Sequence, residues 1–340
     1  MSAKTGIVME TPPLWLKVVG VIASMGMLVV NLVGFLDAQT GSALGCGTDW
    51  PLCNGKIIPA LSNEHVDIEF AHRALVGGFA LVALVFLVCA LIPYRRYIEV
   101  KVLAWLAIAF ILIQAVLGAL AVLFVNPPPV LALHLGFGLL AMVGTTLLTV
   151  FLFQMGARVD GRPSGLGLRI QGISAGTRVL VLGIWAYTYI AIYWGSYVAF
   201  RGAGVACPTW PLCDGRVFPG LAGAVGLDFI HRLFALGLAI LSVLLIIVLR
   251  AVSKSRPDMG RGALWFLVVV LFQIGTGAKV ALSHVATGPY ILHVSTLMVL
   301  FVVLSYLGLQ VMPASPASHA FPAPQAAASG TSGKGALTDP

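Results

Sequence analysis

Eight runs of apolar residues, each long enough to cross a bilayer, constrain this chain more than any other feature. They fall near 14–36, 69–93, 102–125, 131–155, 178–200, 229–250, 263–284 and 290–312. A hydrocarbon core about 30 Å thick needs about 20 residues of helix. Lipid offers no hydrogen-bond partner, so a spanning run must satisfy its own backbone as a helix. The fold class that follows is an all-α membrane protein with eight transmembrane helices. Composition agrees, because 59% of the 340 residues are hydrophobic and only 9% are charged. Soluble domains carry about 25% charged residues, so this chain cannot cover a globular surface with polar groups. The first run is longer than a signal-peptide core and reads as a retained helix.

A net charge of +8 would suit a nucleic-acid binder, but the positions of the charges argue otherwise. With the N-terminus placed in the cytoplasm, fourteen of the 20 Lys and Arg residues fall on the inner side. The other six (Lys56, Arg73, Arg201, Arg216, Arg232, Lys279) fall outside. This is the positive-inside pattern. It predicts both termini in the cytoplasm and two long polar loops, about 37–68 and 201–228, outside. The basic balance is topological, with membrane lipid and not nucleic acid as the partner. Residues 313–340, rich in Pro, Ala, Ser and Gly, lack the apolar content to pack and read as a disordered tail.

The chain repeats itself. Trp50-Pro51-Leu52-Cys53-Asn54-Gly55 returns as Trp210-Pro211-Leu212-Cys213-Asp214-Gly215, and Glu69-Phe70-Ala71-His72-Arg73 as Asp228-Phe229-Ile230-His231-Arg232. Gln114 and Gly118 return as Gln273 and Gly277, and Leu133-His134 as Leu292-His293. The offset holds at 159–160 residues throughout, the mark of an internal duplication. Each half has four spans, so the halves insert in parallel. The organisation predicted is an N-terminal half at 1–156, a cytoplasmic linker at 157–177 and a C-terminal half at 178–312. The halves form two pseudo-symmetric four-helix bundles.

The duplication singles out four histidines. His72 and His134 lie near the outer ends of spans two and four, and His231 and His293 near those of spans six and eight. Both pairs are separated by 62 residues. Two imidazoles at matched depth on two helices can ligate one haem iron from opposite faces. Helix-end histidines, a copper site or a proton relay are the other readings, and the duplicated register favours ligands, since ionisable groups within a membrane are costly. His65 and His284 have no counterpart and read as loop or helix-end residues; His319 lies in the tail. Glu69 shares a helix face with His72. It can orient the imidazole, accept a proton or hold a substrate group, or it is only an acid favoured by the helix dipole. Its counterpart Asp228 is shorter. Arg73 and Arg232 can pair with haem propionates or serve as snorkelling anchors.

Cys46 and Cys53, and Cys207 and Cys213, form two spaced pairs in the outer loops. Disulfides persist in an oxidising compartment, and a Trp-Pro turn inside each pair can bring the sulfurs together. A structural disulfide in each loop, a redox-active first pair and a zinc site across the loops are all open on spacing, the last disfavoured because the pairs lack close zinc-ligand spacing. Cys89, alone in an apolar run, reads as a small core residue.

Together these features resemble bacterial heme A synthase. The Gly41-Ser42 to Trp50–Gly55 stretch and the Glu69–Arg73 motif carry the resemblance, which extends over about 14–312. It implies an enzyme that oxidises the C8 methyl group of haem O to a formyl group, giving haem A for cytochrome oxidase. It implies haem b in the C-terminal half on His231 and His293, with Arg232 nearby. It further implies haem O as substrate in the N-terminal half on His72 and His134, with Arg73 nearby and Glu69 as the catalytic acid. Haem O synthase would deliver the substrate, and a quinol or other donor would exchange electrons. A homo-oligomer in the bacterial cytoplasmic membrane fits the same reading. Two rivals remain: a di-haem b electron carrier between quinol and a periplasmic acceptor, and a haem-handling assembly protein.

Overall fold

The computed structural model describes residues 11–61, 63–162, 164–169 and 172–319. In chain order it contains α1 (Leu14–Gln39), α2 (Glu64–Tyr94), α3 (Ile98–Leu123), α4 (Pro128–Val159), α5 (Gly165–Arg169), α6 (Ala175–Phe200), α7 (Gly223–Arg250), α8 (Pro257–Leu282), α9 (Thr287–Val311) and α10 (Pro316–His319). All but the short α5 and α10 are long and apolar enough to cross a membrane. The described residues hold no β-strand, only isolated bridges at Cys53–Lys56 and Cys213–Arg216. The expected all-α, multi-pass membrane protein with eight spanning helices is what is found.

Several helices begin well before their apolar runs. α2 starts at Glu64, where the Asn63 side chain accepts the His65 N–H and Glu64 and Asp67 occupy the first turn. Such acids satisfy or complement the free N–H groups of a helix start. α8 starts at Pro257, a residue suited to the first turn because it lacks the N–H that would go unbonded there. Hydropathy detects only the lipid-immersed part of a helix. The polar first turns therefore carry the motif residues inside the helices instead of leaving them at the ends.

Packing follows chain order. In the first half α1 contacts α2 and α4, α2 contacts α3, and α3 contacts α4; α6, α7, α8 and α9 repeat these contacts. The halves meet where α4 packs on α6 and α9, and α1 on α9. α4 is the most enclosed span, 78% of its most apolar stretch being buried against 22% for α2. Its small residues let neighbouring backbones approach, as membrane helices require. A methyl group on Gly144 would stand 3.0 Å from Ala107 Cβ. Thr145 and Thr149 return their hydroxyls to carbonyls four residues back, so α4 buries no free hydroxyl there. At the junction of the halves Trp185 stacks on Tyr189 at 5.8 Å and donates its indole N–H to Ser305.

On the face opposite the cysteine loops, a buried ion pair organises the linker and the chain end. Arg169 of α5 meets Glu99 of α3 at 2.6 Å, both almost fully buried. Arg169 also donates to the carbonyls of Met312 and Pro313, and the Ser315 N–H donates to Glu99. The chain therefore remains fixed to the helices through Ser315, beyond the point where its composition predicts a disordered tail. Residues 320–340 lie outside the described residues, as do Lys4 and Lys334 of the charge pattern. Sequence reading assigned Arg169 only to topology and passed over Glu99. Nothing local announces that residues 70 apart will be partners.

Candidate functional site

The four histidines occupy matched places. His72 and His231 each stand eight residues after the first residue of their helix, and His134 and His293 six residues after theirs. At about 1.5 Å of rise per residue, each pair lies within about one turn in depth, near the cysteine-loop ends. His72 and His134 are close enough to feel one another's charge, as are His231 and His293.

Each imidazole leans on a glycine of a neighbouring helix. A methyl group on Gly34 of α1 would come within 2.8 Å of His72 Cε1, and one on Gly195 of α6 within 2.6 Å of His231 Cε1. Gly118 of α3 and Gly277 of α8 stand in the same relation to His134 and His293, at 3.0 and 3.1 Å. Any side chain at these glycines would push the ring away. Gly118 and Gly277 belong to the repeat seen in the sequence. Gly34 and Gly195 are offset by 161 residues, just outside its constant spacing, and were missed for that reason.

The ring nitrogens show a second regularity. His134 Nδ1 lies 2.7 Å from the Gln114 carbonyl. A carbonyl only accepts, so Nδ1 carries the proton and Nε2 keeps its lone pair, the tautomer a metal ligand requires. His293 Nδ1 lies 3.0 Å from the Thr276 hydroxyl, which itself donates to the Gln273 carbonyl. His293 Nδ1 therefore also donates, and the Gln273 amide nitrogen lies beside both ring nitrogens, 3.1 Å from Nδ1 and 3.2 Å from Nε2, where only Nε2 has a lone pair to accept from it. The amide oxygen of Gln273 is buried without a partner, so this amide is not held against movement away from the lone pair. His72 Nδ1 and His231 Nδ1 are buried and unpartnered.

These residues fit haem. The porphyrin brings four nitrogens of its own, so the protein need supply only the two axial imidazoles per half. No group of three or more His, Cys, Asp or Glu side chains with metal-binding geometry forms among the described residues, which does not favour a copper or zinc cage. The four loop cysteines are joined as Cys46–Cys53 and Cys207–Cys213. That pairing meets the expectation of one disulfide per loop and removes the thiolates that zinc would need. Cys89 is free and partly buried against the core. His65 begins α2 and bonds the Ser42 hydroxyl, while His284 lies in the α8–α9 turn with a left-handed backbone.

Glu69 is buried and fully engaged. Its Oε2 accepts the Cys46 N–H at 2.7 Å, and its Oε1 accepts from Arg73. Arg73 also donates to the Leu52 carbonyl. In the second half Asp228 pairs with Arg232, but the loop is held by the arginine, which donates to the carbonyls of Cys207, Thr209 and Pro211. Arg73 and Arg232, offered by the sequence as propionate partners or lipid anchors, also tie each disulfide hairpin to the histidine-bearing helix. The longer carboxylate of Glu69 reaches the hairpin backbone; Asp228 stays with its arginine.

A carboxylate near the histidine site also escaped the sequence reading. Asp37, near the end of α1, is only 6% exposed, and its Oδ1 is buried with no hydrogen-bond partner. Its charge reaches Glu69 and Arg73. Hydropathy ended the first span at Leu36 and left Asp37 to the loop; an acid adjoining a spanning run was the available signal.

The chain matches the model of the COX15-CtaA family, described as cytochrome oxidase assembly protein, over residues 17–305. It is similar to the heme A synthase of Alkalihalophilus pseudofirmus, 34% identical over 86% of this chain and 96% of that protein. It is also similar to the heme A synthases of Halalkalibacterium halodurans (35% identical, 86% and 95% covered) and Symbiobacterium thermophilum (35% identical, 88% and 96% covered). The matched stretch runs from α1 into α9, so it spans both histidine pairs and both hairpins. On a match of this extent, the chain belongs to the COX15-CtaA family of cytochrome oxidase assembly proteins.

Proposed function

We propose that this chain is a heme A synthase, a membrane oxidoreductase that oxidises the C8 methyl group of haem O to a formyl group and so provides haem A for cytochrome oxidase. The relatives that match it nearly end to end carry that name. The observation that carries the reading is the unequal duplication. Two matched, glycine-cradled histidine pairs are present, yet only the first is accompanied by a carboxylate bonded to the hairpin backbone, Glu69, and by one with a buried, unpartnered oxygen, Asp37. One half is built like a cofactor holder and the other like a holder with added chemistry.

In this reading His231 and His293 ligate a resident haem b, and His72 and His134 hold haem O within a second, pseudo-symmetric four-helix bundle. Bound haem supplies the electron chemistry, and the protein supplies ligands, orientation and electrostatics. Gln114 and Thr276 fix the tautomers of His134 and His293, and the four glycines set the depth at which the rings stand. Glu69 and Arg73 close the first hairpin over the cysteine-loop end of α2 and keep a carboxylate there within a shell of low dielectric. The cysteine loops lie outside and both termini lie in the cytoplasm, as the charge pattern demands. Haem O synthase, an electron donor such as quinol and a second copy of the chain are the partners this activity calls for.

Pigment extraction tests the proposal. Purified protein should yield haem B together with haem O, its hydroxylated derivative or haem A. Haem B alone, in an amount that fills both sites, would replace the enzyme with a di-haem electron carrier.

A further inference from the structure

We propose that Asp37 is the hydrogen-bond acceptor for a hydroxyl group carried by the haem substrate of the N-terminal half. This inference rests on the functional reading above and specifies what that half recognises.

Asp37 stands three residues after Gly34, so both lie on one face of α1. Gly34 carries the His72 ring, which places Asp37 about one turn nearer the cysteine-loop end of the same site. The side-chain donors that follow it at Thr40 and Ser42, and Arg73, are engaged elsewhere. Thr40 Oγ1 bonds the Leu36 carbonyl and the Ser42 hydroxyl, Ser42 bonds His65, and Arg73 bonds Glu69 and Leu52. A buried acceptor without a donor costs stability that a bound donor restores. Arg73, the cation of this region, is already engaged by Glu69 and the Leu52 carbonyl, so the site offers no free cation to a propionate and suits a neutral O–H donor.

The two halves differ here in step with their ligands. In the register set by Gly34 and Gly195, the counterpart of Asp37 is Val198, buried and apolar. Haem B, proposed for that half, has no hydroxyl. Haem O carries one on its isoprenoid side chain, and the first oxidation of its methyl group adds another. The hydroxyl donates and the Asp37 carboxylate accepts; no bond to carbon changes. The shared chemistry is an O–H group on the substituted porphyrin, and the two sources are separable by experiment.

The test uses the full chain in nanodiscs with its C-terminal haem in place. Haem O, its hydroxymethyl derivative and haem B are titrated into wild type, Asp37→Val and Asp37→Asn, and binding is followed by absorbance. In Asp37→Val, affinity for the hydroxyl-bearing haems should fall about 10- to 100-fold relative to haem B, the span of a hydrogen bond to a charged group. Asp37→Asn, which keeps an acceptor oxygen, should lose less. Equal losses for haem O and its derivative assign the side-chain hydroxyl; loss for the derivative alone assigns the hydroxyl made by oxidation. Removal of a buried carboxylate whose Oδ1 has no partner should also leave the melting temperature of Asp37→Val unchanged or raised. Unchanged discrimination in Asp37→Val, uniform loss for all three haems, or a lowered melting temperature overturns the inference. A wild-type N-terminal site that takes up no haem O overturns the functional reading itself, a result distinct from any of these.

Discussion

Substitution of Gly195 by alanine should separate haem ligation from folding. The added Cβ would stand 2.6 Å from His231 Cε1, 3.0 Å from Nδ1 and 3.3 Å from Nε2. Carbon atoms rest at about 3.5–4.0 Å, so the ring or α6 must give way by about 1 Å. Overpacking of this kind costs about 1–3 kcal/mol. Alanine returns about 1 kcal/mol within a helix, so the net loss of stability is about 0–2 kcal/mol and the protein should still fold. In the proposed reading the position of the His231 nitrogen that would hold haem b is far less tolerant, because Gly195 lies directly against the ring. Gly277→Ala presents the same methyl group to His293 at 3.1 Å, a deficit of a few tenths of an ångström that a small ring movement absorbs. Gly275→Ala meets no neighbour within 4 Å and serves as the control. Haem-to-protein ratio and the reduced-minus-oxidised spectrum of purified protein provide the measurement. Gly195→Ala should lose most of the C-terminal haem or its bis-histidine spectrum, Gly277→Ala should keep most of both, and Gly275→Ala should match wild type. Full haem with an unchanged spectrum in Gly195→Ala would refute the argument that the glycines set the depth of the ligands.

Three further outcomes are expected. Glu69→Gln presents an amide NH₂ to either the Cys46 N–H or Arg73, loosening the first hairpin by about 1.5–3 kcal/mol. Haem A formation should stop or stall at the hydroxylated stage while the C-terminal haem spectrum persists; Asp228→Asn should be milder, and the reverse order in an activity assay would mean that the two halves have been exchanged. Arg169→Met leaves Glu99 buried and unpaired and should lower stability by about 3–5 kcal/mol, whereas Glu99→Leu combined with Arg169→Met should recover most of it; denaturation in detergent distinguishes the two. Reporter fusions after Gly55 and after Asp160 should report opposite sides of the membrane, and agreement between them would sink the proposed orientation.

The eight spans were legible in the sequence because lipid imposes a one-dimensional rule. A run of about 20 apolar residues must be a helix, whatever it packs against. The duplication was legible too, since two copies of a motif at a fixed offset need no structure to be compared. The histidines followed from both. What the sequence could not order were relations between helices. The glycine cradles depend on which face of α1, α3, α6 and α8 meets each imidazole, and α1 to α2 and α6 to α7 are joined by loops too long to fix a register. Arg73 and Arg232 stand out in the sequence by their position beside the histidines; the hairpin carbonyls that also engage them became visible only once the loops had folded back. Glu99 and Arg169 lie in different stretches of the chain and meet only after α3, the linker and the chain end have packed. Asp37 fell on the wrong side of a hydropathy boundary, and its burial is a property of the packed structure and not of its own segment. The sequence determined how often the chain crosses the bilayer, because hydrophobicity is a property of each segment. Tertiary structure alone decided which polar groups are satisfied within it, because a hydrogen bond needs two partners.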